Sequence, residues 1–306
     1  MARRAVVTGA AGFIGRHVAK RLAAEGWRVI GVGHGTWGRD EWRRWGLEDW
    51  RSADVSLEAL QTYAGEPELV VHCAGSGAVG FSISHPHHDF LRTVGTTAAV
   101  LEFVRLNAPD ARIVYPSSAG VYGVVHDLPI LESAPLNPVS PYGVHKRLAE
   151  ELCLSYGRQF GLASAGVRFF SVYGNGLRKQ LLWDACVRSR ADGRAPFHGS
   201  GSEIRDWVHV EDAAALLIVA SDHAAPTFPV VNGGTGVGVG VREILGTLYQ
   251  ALGMPHAPNF SGVQRAGDPP GYTAEISAAL RWGWSPTIAW SDGVREYARW
   301  FATEFA

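Results

Sequence analysis

Three cysteines in 306 residues, with no CxxC spacing, leave neither a disulfide framework nor a zinc site to build on. Cys73, Cys153 and Cys186 are an odd number, which fits a reducing cytoplasm. Net charge is equally scarce: 28 Lys and Arg against 29 Asp and Glu leave a formal −1, so no general basic surface awaits nucleic acid. No run of about 18 apolar residues spans a bilayer, and "MARRAVVTGA" enters an apolar strand without the apolar core of a signal peptide. Internal repeats and low-complexity tracts are also missing. These absences predict a soluble cytoplasmic protein with no nucleic-acid or membrane partner, and 46% hydrophobic residues supply a large core.

What is present is alternation. Short apolar runs (Ala5–Thr8, Arg28–Val32, Leu69–Cys73, Arg112–Pro116, Ala163–Phe170, Val230–Asn232) are separated by longer amphipathic stretches (Phe13–Glu25, Leu57–Ala64, His88–Asn107, Pro141–Phe160). Each stretch is long enough to cross over a sheet and return, which predicts a doubly wound parallel α/β sheet. The rhythm weakens after Phe170, so residues 171–203 and 236–306 are read as a smaller, discontinuous substrate lobe on a nucleotide-binding domain of residues 1–170. "DWVHVEDAAALLIVAS" reads as a strand and helix that return to the main sheet within 204–235.

Chemistry-bearing residues fall at the ends of these runs. "VVTGAAGFIGRHVAKRL" sets Gly9, Gly12 and Gly15 between a strand and a helix, where backbone approaches a pyrophosphate and free N–H groups aim at it. About 20 residues beyond the glycines, an NAD-binding unit ordinarily has an acid for the adenine ribose. Here the second strand ends in Gly33-His34-Gly35. Gly33 leaves room for a 2′-phosphate that His34, Arg39 or Arg16 would bind, which leans toward NADP, while Asp40 is a substitute acid that would serve NAD. "SADVS" offers Asp54 to the adenine amino group, and "VVHCAG" ends a strand beside the cofactor.

"SPYGVHKRLAEEL" puts Tyr142 and Lys146 four apart on one helix face, where an ammonium favours the ionised phenol. Ser117 and Ser118 end the preceding strand, placing a hydroxyl to bridge Tyr142 and a substrate oxygen. "HPHHD", His85–Asp89, gathers metal-ligand residue types, but no HExxH or spaced Cys/His set accompanies it. It reads as a helix start with Pro86 in the first turn, and no metal is expected. The Trp residues from Trp37 to Trp50 are expected to cover the sheet's flank.

The glycine loop, "HCAGSGAVG", "SSAGVYG", Tyr142-Gly-Val-His-Lys146, "RFFSVYG", "RDWVHVED" and "NGGTG", in this order, resemble the extended short-chain dehydrogenase/reductases that act on nucleotide sugars, the UDP-glucose 4-epimerase-like group among them. The resemblance implies a Rossmann-type domain, a tightly held NAD or NADP, a nucleoside-diphosphate sugar and a homodimer paired through His88–Asn107 and Pro141–Phe160. Carried over, Ser118, Tyr142 and Lys146 form the catalytic set, with Tyr142 and Lys146 also at the cofactor. Further cofactor contacts are Gly9, Gly12, Phe13, Ile14, Gly15, Gly33, His34, Gly35, Asp54, Val55, Cys73, Ala74, Gly75 and Thr93. Substrate contacts are Ser76, Ser118, Ser171, Arg178, Phe197, Arg205, Arg265 and Asp268, with Lys179 beside Arg178. An Arg fork suits phosphate oxygens, and Phe197 serves either the base or the core.

Departures from the family pattern choose among branches. Ala119 and Gly120 stand where the 4,6-dehydratases carry Asp-Glu, and no Cys occupies the serine motif as in the fucose-type epimerase-reductases. Gly77 stands where a UDP-galactose-type epimerase has Lys, and Ser171 where many relatives have Asn or Thr. Three readings stay open: inversion at C4 through a transient ketone, NADPH-dependent reduction of a 4-keto sugar, and a non-catalytic NADP-binding regulator. Ser-Tyr-Lys alone does not separate the first two, because general acid and base are one group read in opposite directions.

Overall fold

A computed structural model of the chain describes residues 3–191, 193–263 and 271–305. Its strands are β1 (Arg4–Thr8), β2 (Arg28–Gly33), β3 (Leu47–Ser52), β4 (Leu69–His72), β5 (Arg112–Ser118), β6 (Ser164–Phe169), β7 (Ser171–Tyr173), β8 (Ile204–His209), β9 (Val230–Gly233), β10 (Gly238–Gly240) and β11 (Gly271–Tyr272). The helices are α1 (Phe13–Ala24), α2 (Glu41–Arg44), α3 (Leu57–Tyr63), α4 (Val79–Ser84), α5 (Pro86–Phe90), α6 (Thr96–Asn107), α7 (Pro141–Phe160), α8 (Gln180–Ser189), α9 (Val210–Asp222), α10 (Val241–Ala251), α11 (Ser277–Arg281) and α12 (Trp290–Glu304).

Seven strands pair in parallel in the order β3-β2-β1-β4-β5-β6-β9, the doubly wound sheet that the alternation predicts. Successive side chains leave opposite faces of a strand. Accordingly, Ala5 and Val7 of β1 enter a core shared with α1 and α9, while Val6 between them enters a second core with α3, α6 and α7. The winding reverses between β1 and β4, and a crevice opens at the carboxyl ends of these strands, where ligands of open α/β sheets bind. No described helix is long and apolar enough to cross a membrane, and all three cysteines are free.

Three features differ from the sequence reading. The strand β8 does not rejoin the large sheet. It pairs with β7, β10 and β11 in a smaller one, and only α9 and β9 return to the main layers. The stretch His88–Asn107 is helical throughout but not uniformly α: the helix starts at Pro86 as α5, passes through a π-helical turn at Leu91–Gly95 and continues as α6. Hydroxyls loosen the turn, with Thr96 Oγ1 donating to the Arg92 carbonyl (2.6 Å) and Thr97 Oγ1 to that of Thr93 (2.7 Å). The third difference is β3 itself, an edge strand of sequence LEDWRS with only Leu47 fully buried, so its pattern was too polar to be recognised. Trp37, Trp42 and Trp50 do cover this flank, packed against the α1–α9 core.

Candidate active site

The glycine loop is fixed by contacts that exclude a side chain. Gly9, at φ +67°, bonds its N–H to the Val32 carbonyl (2.7 Å) and accepts from the Gly12 N–H (2.8 Å). A Cβ on Gly9 would lie 2.7 Å from the Ala74 nitrogen, and one on Gly15 only 2.3 Å from the Gly9 oxygen. The chain thus passes flat under the start of α1, whose N-cap Gly12 has no side-chain capping bond. Its first N–H groups remain available to an anion. A dinucleotide fits such a cradle.

A groove of about 590 Å³ continues from this loop, lined by Gly9, Gly12, Gly33, His34, Asp54, Val55, Cys73, Ala74 and Gly75. Leu91, Arg92, Gly95 and Thr96 of the π-helical turn complete it. These four were missed by the sequence reading, which took only Thr93 from the segment; the cluster of hydroxyls in TVGTT was the available signal. Thr93 itself lies behind the wall, its Oγ1 accepting from the Ser76 N–H at 3.4 Å. Gly35 is not among the lining residues either: its φ is +138°, and a Cβ there would meet the Ala11 Cβ at 2.5 Å.

The structure also explains the missing acid. Gly33 has φ +150°, a conformation that side chains rarely adopt, and a Cβ would sit 3.0 Å from the Gly9 nitrogen, so a side chain there is strained and crowds the glycine loop. Two of the three donors proposed for a 2′-phosphate, Arg16 and His34, are turned to other work. Arg16 donates to the Ala11 carbonyl (2.7 Å) and stacks on Trp37 and Trp45, and His34 is bonded to the Asp54 carboxylate. Asp40, the substitute acid, pairs with Arg43 at 3.6 Å and lines neither cavity.

The second cavity, of about 660 Å³, shares Gly12, Cys73 and Gly75 with the groove. Phe13, Ile14, Gly15, Ser76, Ser118, Tyr142, Lys146, Ser171, Phe197 and Arg205 all line it. Ser140 caps α7 by accepting from the Gly143 N–H (3.2 Å), and Pro141 occupies the first turn, so Tyr142 and Lys146 rise from a well-formed helix start. Buried Lys146 donates Nζ to the Pro116 carbonyl (2.9 Å) and lies 4.7 Å from the Tyr115 ring centre and 6.0 Å from that of Tyr142.

Electrostatics correct one expectation here. The Tyr142 phenol is raised, not lowered: burial dominates, a hydrogen bond from Ser118 opposes it, and Asp89 adds to the rise. Burial likewise depresses Lys146 to about 8, against the pull of Cys73, Asp89 and Glu150. Cys73 is lifted to about 12 by burial and does not ionise near neutrality. Ala119 is buried, and Gly120 faces the Tyr142 ring, leaving no acid where a dehydratase needs one.

The two adjacent cations divide. Lys179 lines the cavity, its Nζ 2.9 Å from where a Cβ on Gly77 would be, and desolvation lowers its pKa. Arg178 does not line the cavity; it pairs with Glu304 (2.5 Å) and stacks against Phe305, correcting its assignment as a substrate ligand. One backbone step on an extended segment reverses the side chain, so only one of the neighbours faces inward. Gln180 follows at φ +69°, a strained non-glycine position unreadable from sequence, with Nε2 3.5 Å from the Gly77 oxygen. Phe197 is both core and lining, stacked under Arg188 at 4.4 Å. Arg265 and Asp268 lie outside the described residues. In the "HPHHD" segment, buried Asp89 takes His145 Nδ1 at 2.5 Å, and no group of ligand side chains able to hold a metal occurs among the described residues.

A glycine-cradled dinucleotide groove opening onto a Ser-Tyr-Lys cavity defines a short-chain dehydrogenase/reductase of the extended, Rossmann-type class. The NAD dependent epimerase/dehydratase family model matches residues 5–234, and the chain belongs to that family. The putative UDP-glucose 4-epimerase of Methanocaldococcus jannaschii is 31% identical over 304 residues, covering 96% of this chain and 97% of that protein. The crystal structure of a Thermotoga maritima UDP-glucose 4-epimerase with UDP-glucose superposes with a TM-score of 0.89 at 25% identity, covering 99% of this chain and 100% of the other. The Brucella ovis UDP-glucose 4-epimerase in complex with NAD gives 0.85 at 30% identity, covering 98% of each chain.

Proposed function

We propose that the protein inverts C4 of a UDP-sugar through a transient 4-keto intermediate, using a retained NAD. The observation that carries this reading is the cavity's proton inventory. Ser118, Tyr142 and Lys146 all line it, and the positions a dehydratase fills with an acid and its neighbour are buried Ala119 and ring-facing Gly120. Tyr142 takes the proton of the C4 hydroxyl while Ser118 holds the same oxygen, and Lys146 keeps the phenolate compensated. Gly9, Gly12, Gly15 and the α1 N-terminus hold the pyrophosphate, with Asp54 and His34 at the adenosine end. NAD, when bound, accepts the C4 hydride and returns it to the other face of the ketone. The relatives solved with NAD, the Brucella ovis enzyme among them, support NAD as the retained dinucleotide. The lean toward NADP drawn from Gly33 stands against it, and the identity of the released dinucleotide decides between them.

The decisive experiment is to denature the purified protein, identify the released dinucleotide, and offer UDP-sugars without added nicotinamide. Epimerisation without added cofactor is expected; stoichiometric NADPH consumption with a 4-keto sugar would instead establish a reductase. Lys179 and Arg205 bind the anionic substrate. We therefore expect Lys179→Ala to raise KM about ten-fold, the worth of a charged hydrogen bond, and Arg178→Ala to leave it within about two-fold, as for an exposed pair. Equal effects in a steady-state comparison would refute the assignment. We also propose a homodimer through α6 and α7, whose Leu106, Val144 and Phe160 are exposed; sedimentation of the intact protein tests it.

A further inference from the structure

Several residues of the sequence motifs take no part in this chemistry. Tyr122 of "SSAGVYG", Glu150 one turn beyond Lys146, Arg168 of "RFFSVYG" and Asn232 of "NGGTG" are all buried. They meet in one place. Ser117, Arg168 and Asn232 are lateral neighbours in the registers of β5, β6 and β9, so their side chains share one face of the sheet, beneath α7. Ser117 Oγ donates to Glu150 Oε1 (2.5 Å), and Arg168 grips the same carboxylate with Nε (3.0 Å) and Nη2 (2.7 Å). Arg168 Nη1 donates to the Tyr122 hydroxyl (3.1 Å), which donates to Asn232 Oδ1 (2.7 Å). Asn232 Nδ2 closes the row on the Ile130 carbonyl (2.8 Å).

We propose that this buried row is a positioning plate for the Ser-Tyr-Lys set, with Ser117 and Glu150 as the link that holds α7 at a fixed height along β5. The proposal rests on the epimerase reading for its turnover test. Two adjacent residues of β5 carry the attachment: Lys146 Nζ is tied to the Pro116 carbonyl, and Glu150 to the Ser117 hydroxyl. Lys146 and Glu150 are four apart, hence on one helix face. Ser118 follows directly, with Oγ accepting from the Gly120 N–H at 3.1 Å. A slip of α7 against β5 therefore carries Tyr142 and Lys146 together away from Ser118. Stability alone is a poor reason for such a row, since well-packed apolar residues commonly replace a buried ion pair without loss. A misplacement of about 1 Å at reacting groups, in contrast, can cost about a hundred-fold in rate.

The test is made on the NAD-loaded protein. Ser117→Ala breaks the link while leaving in place Ser118, Cys73, Asp89 and Glu150, the groups that bias Tyr142 and Lys146. Ultraviolet difference titration of each protein against its Tyr142→Phe partner reads the phenol directly. We expect Ser117→Ala to raise the Tyr142 midpoint and lower kcat about ten-fold at unchanged KM, and Ser117→Thr to restore both. A midpoint and kcat that stay at wild-type values would overturn the plate. If wild type shows no 4-epimerase turnover, the functional reading fails alone, and the phenol midpoint still decides the positioning role. If Ser117→Ala does not fold, Tyr122→Phe, which keeps the ring and removes the bridging hydroxyl, must move the midpoint the same way; an unmoved midpoint overturns the proposal.

Discussion

Tyr142→Phe is expected to keep its dinucleotide and lose turnover by about a thousand-fold or more, the upper range for removal of a positioned acid–base group. The substitution deletes one oxygen and leaves Lys146 bonded to Pro116 and the glycine loop untouched. Burial has already raised this phenol, and Lys146 is only partly able to compensate, being itself pushed down to about 8. The chain's own field therefore does not ionise Tyr142. Proton removal would then rest on the Ser118 hydroxyl and on Lys146, to which an oxidised nicotinamide, when bound, would add positive charge. Measuring kcat beside the dinucleotide released on denaturation checks this, and turnover within ten-fold of wild type would remove Tyr142 from the mechanism.

Gly15→Val should be nearly as severe by a different route. Its Cβ would lie 2.3 Å from the Gly9 oxygen and 3.0 Å from the Ala10 Cα, backbone that cannot rotate aside. The loop has to open, and the pyrophosphate cradle opens with it. Purified variant should carry no dinucleotide and show no epimerisation, yet still melt cooperatively by circular dichroism. Gly12→Ala is the contrast: its Cβ meets only the Gly9 oxygen, at 3.0 Å, so partial occupancy is expected. Full dinucleotide occupancy in Gly15→Val would show that the cradle tolerates a side chain.

Much of this site was legible because its chemistry requires particular residues at particular spacings. Gly9, Gly12 and Gly15 mark the loop, and Tyr142 and Lys146 share a helix face whatever surrounds them. What escaped were features set by neighbours remote in sequence. Gly33 looked like a missing acid, whereas its reason is the Gly9 backbone 3.0 Å away. Lys179 and Arg178 are indistinguishable as letters; an extended backbone turns one inward and sends the other to Glu304, far along the chain. The apolar content of β8 announced a strand without saying which sheet would pair with it. The direction of the Tyr142 shift depended on how much water burial removes, a quantity that no local motif encodes.

The division into two sheets bears on how the ketone turns. The chain passes from the large sheet to the small one through Phe170 alone, comes back at the His209–Val210 junction, and leaves again between Gly233 and Gly238. A Tyr272–Gly123 hydrogen bond and an Ile130–Ala274 bridge add further ties. Hinge closure needs a few residues free to absorb large dihedral changes, and connectors this short and this numerous supply no common axis. These ties limit how far the two sheets can part. If C4 is inverted as proposed, the sugar has to turn over between these tied sheets, and the breadth of sugars accepted should follow the room for that turn more than the fit of either epimer at rest.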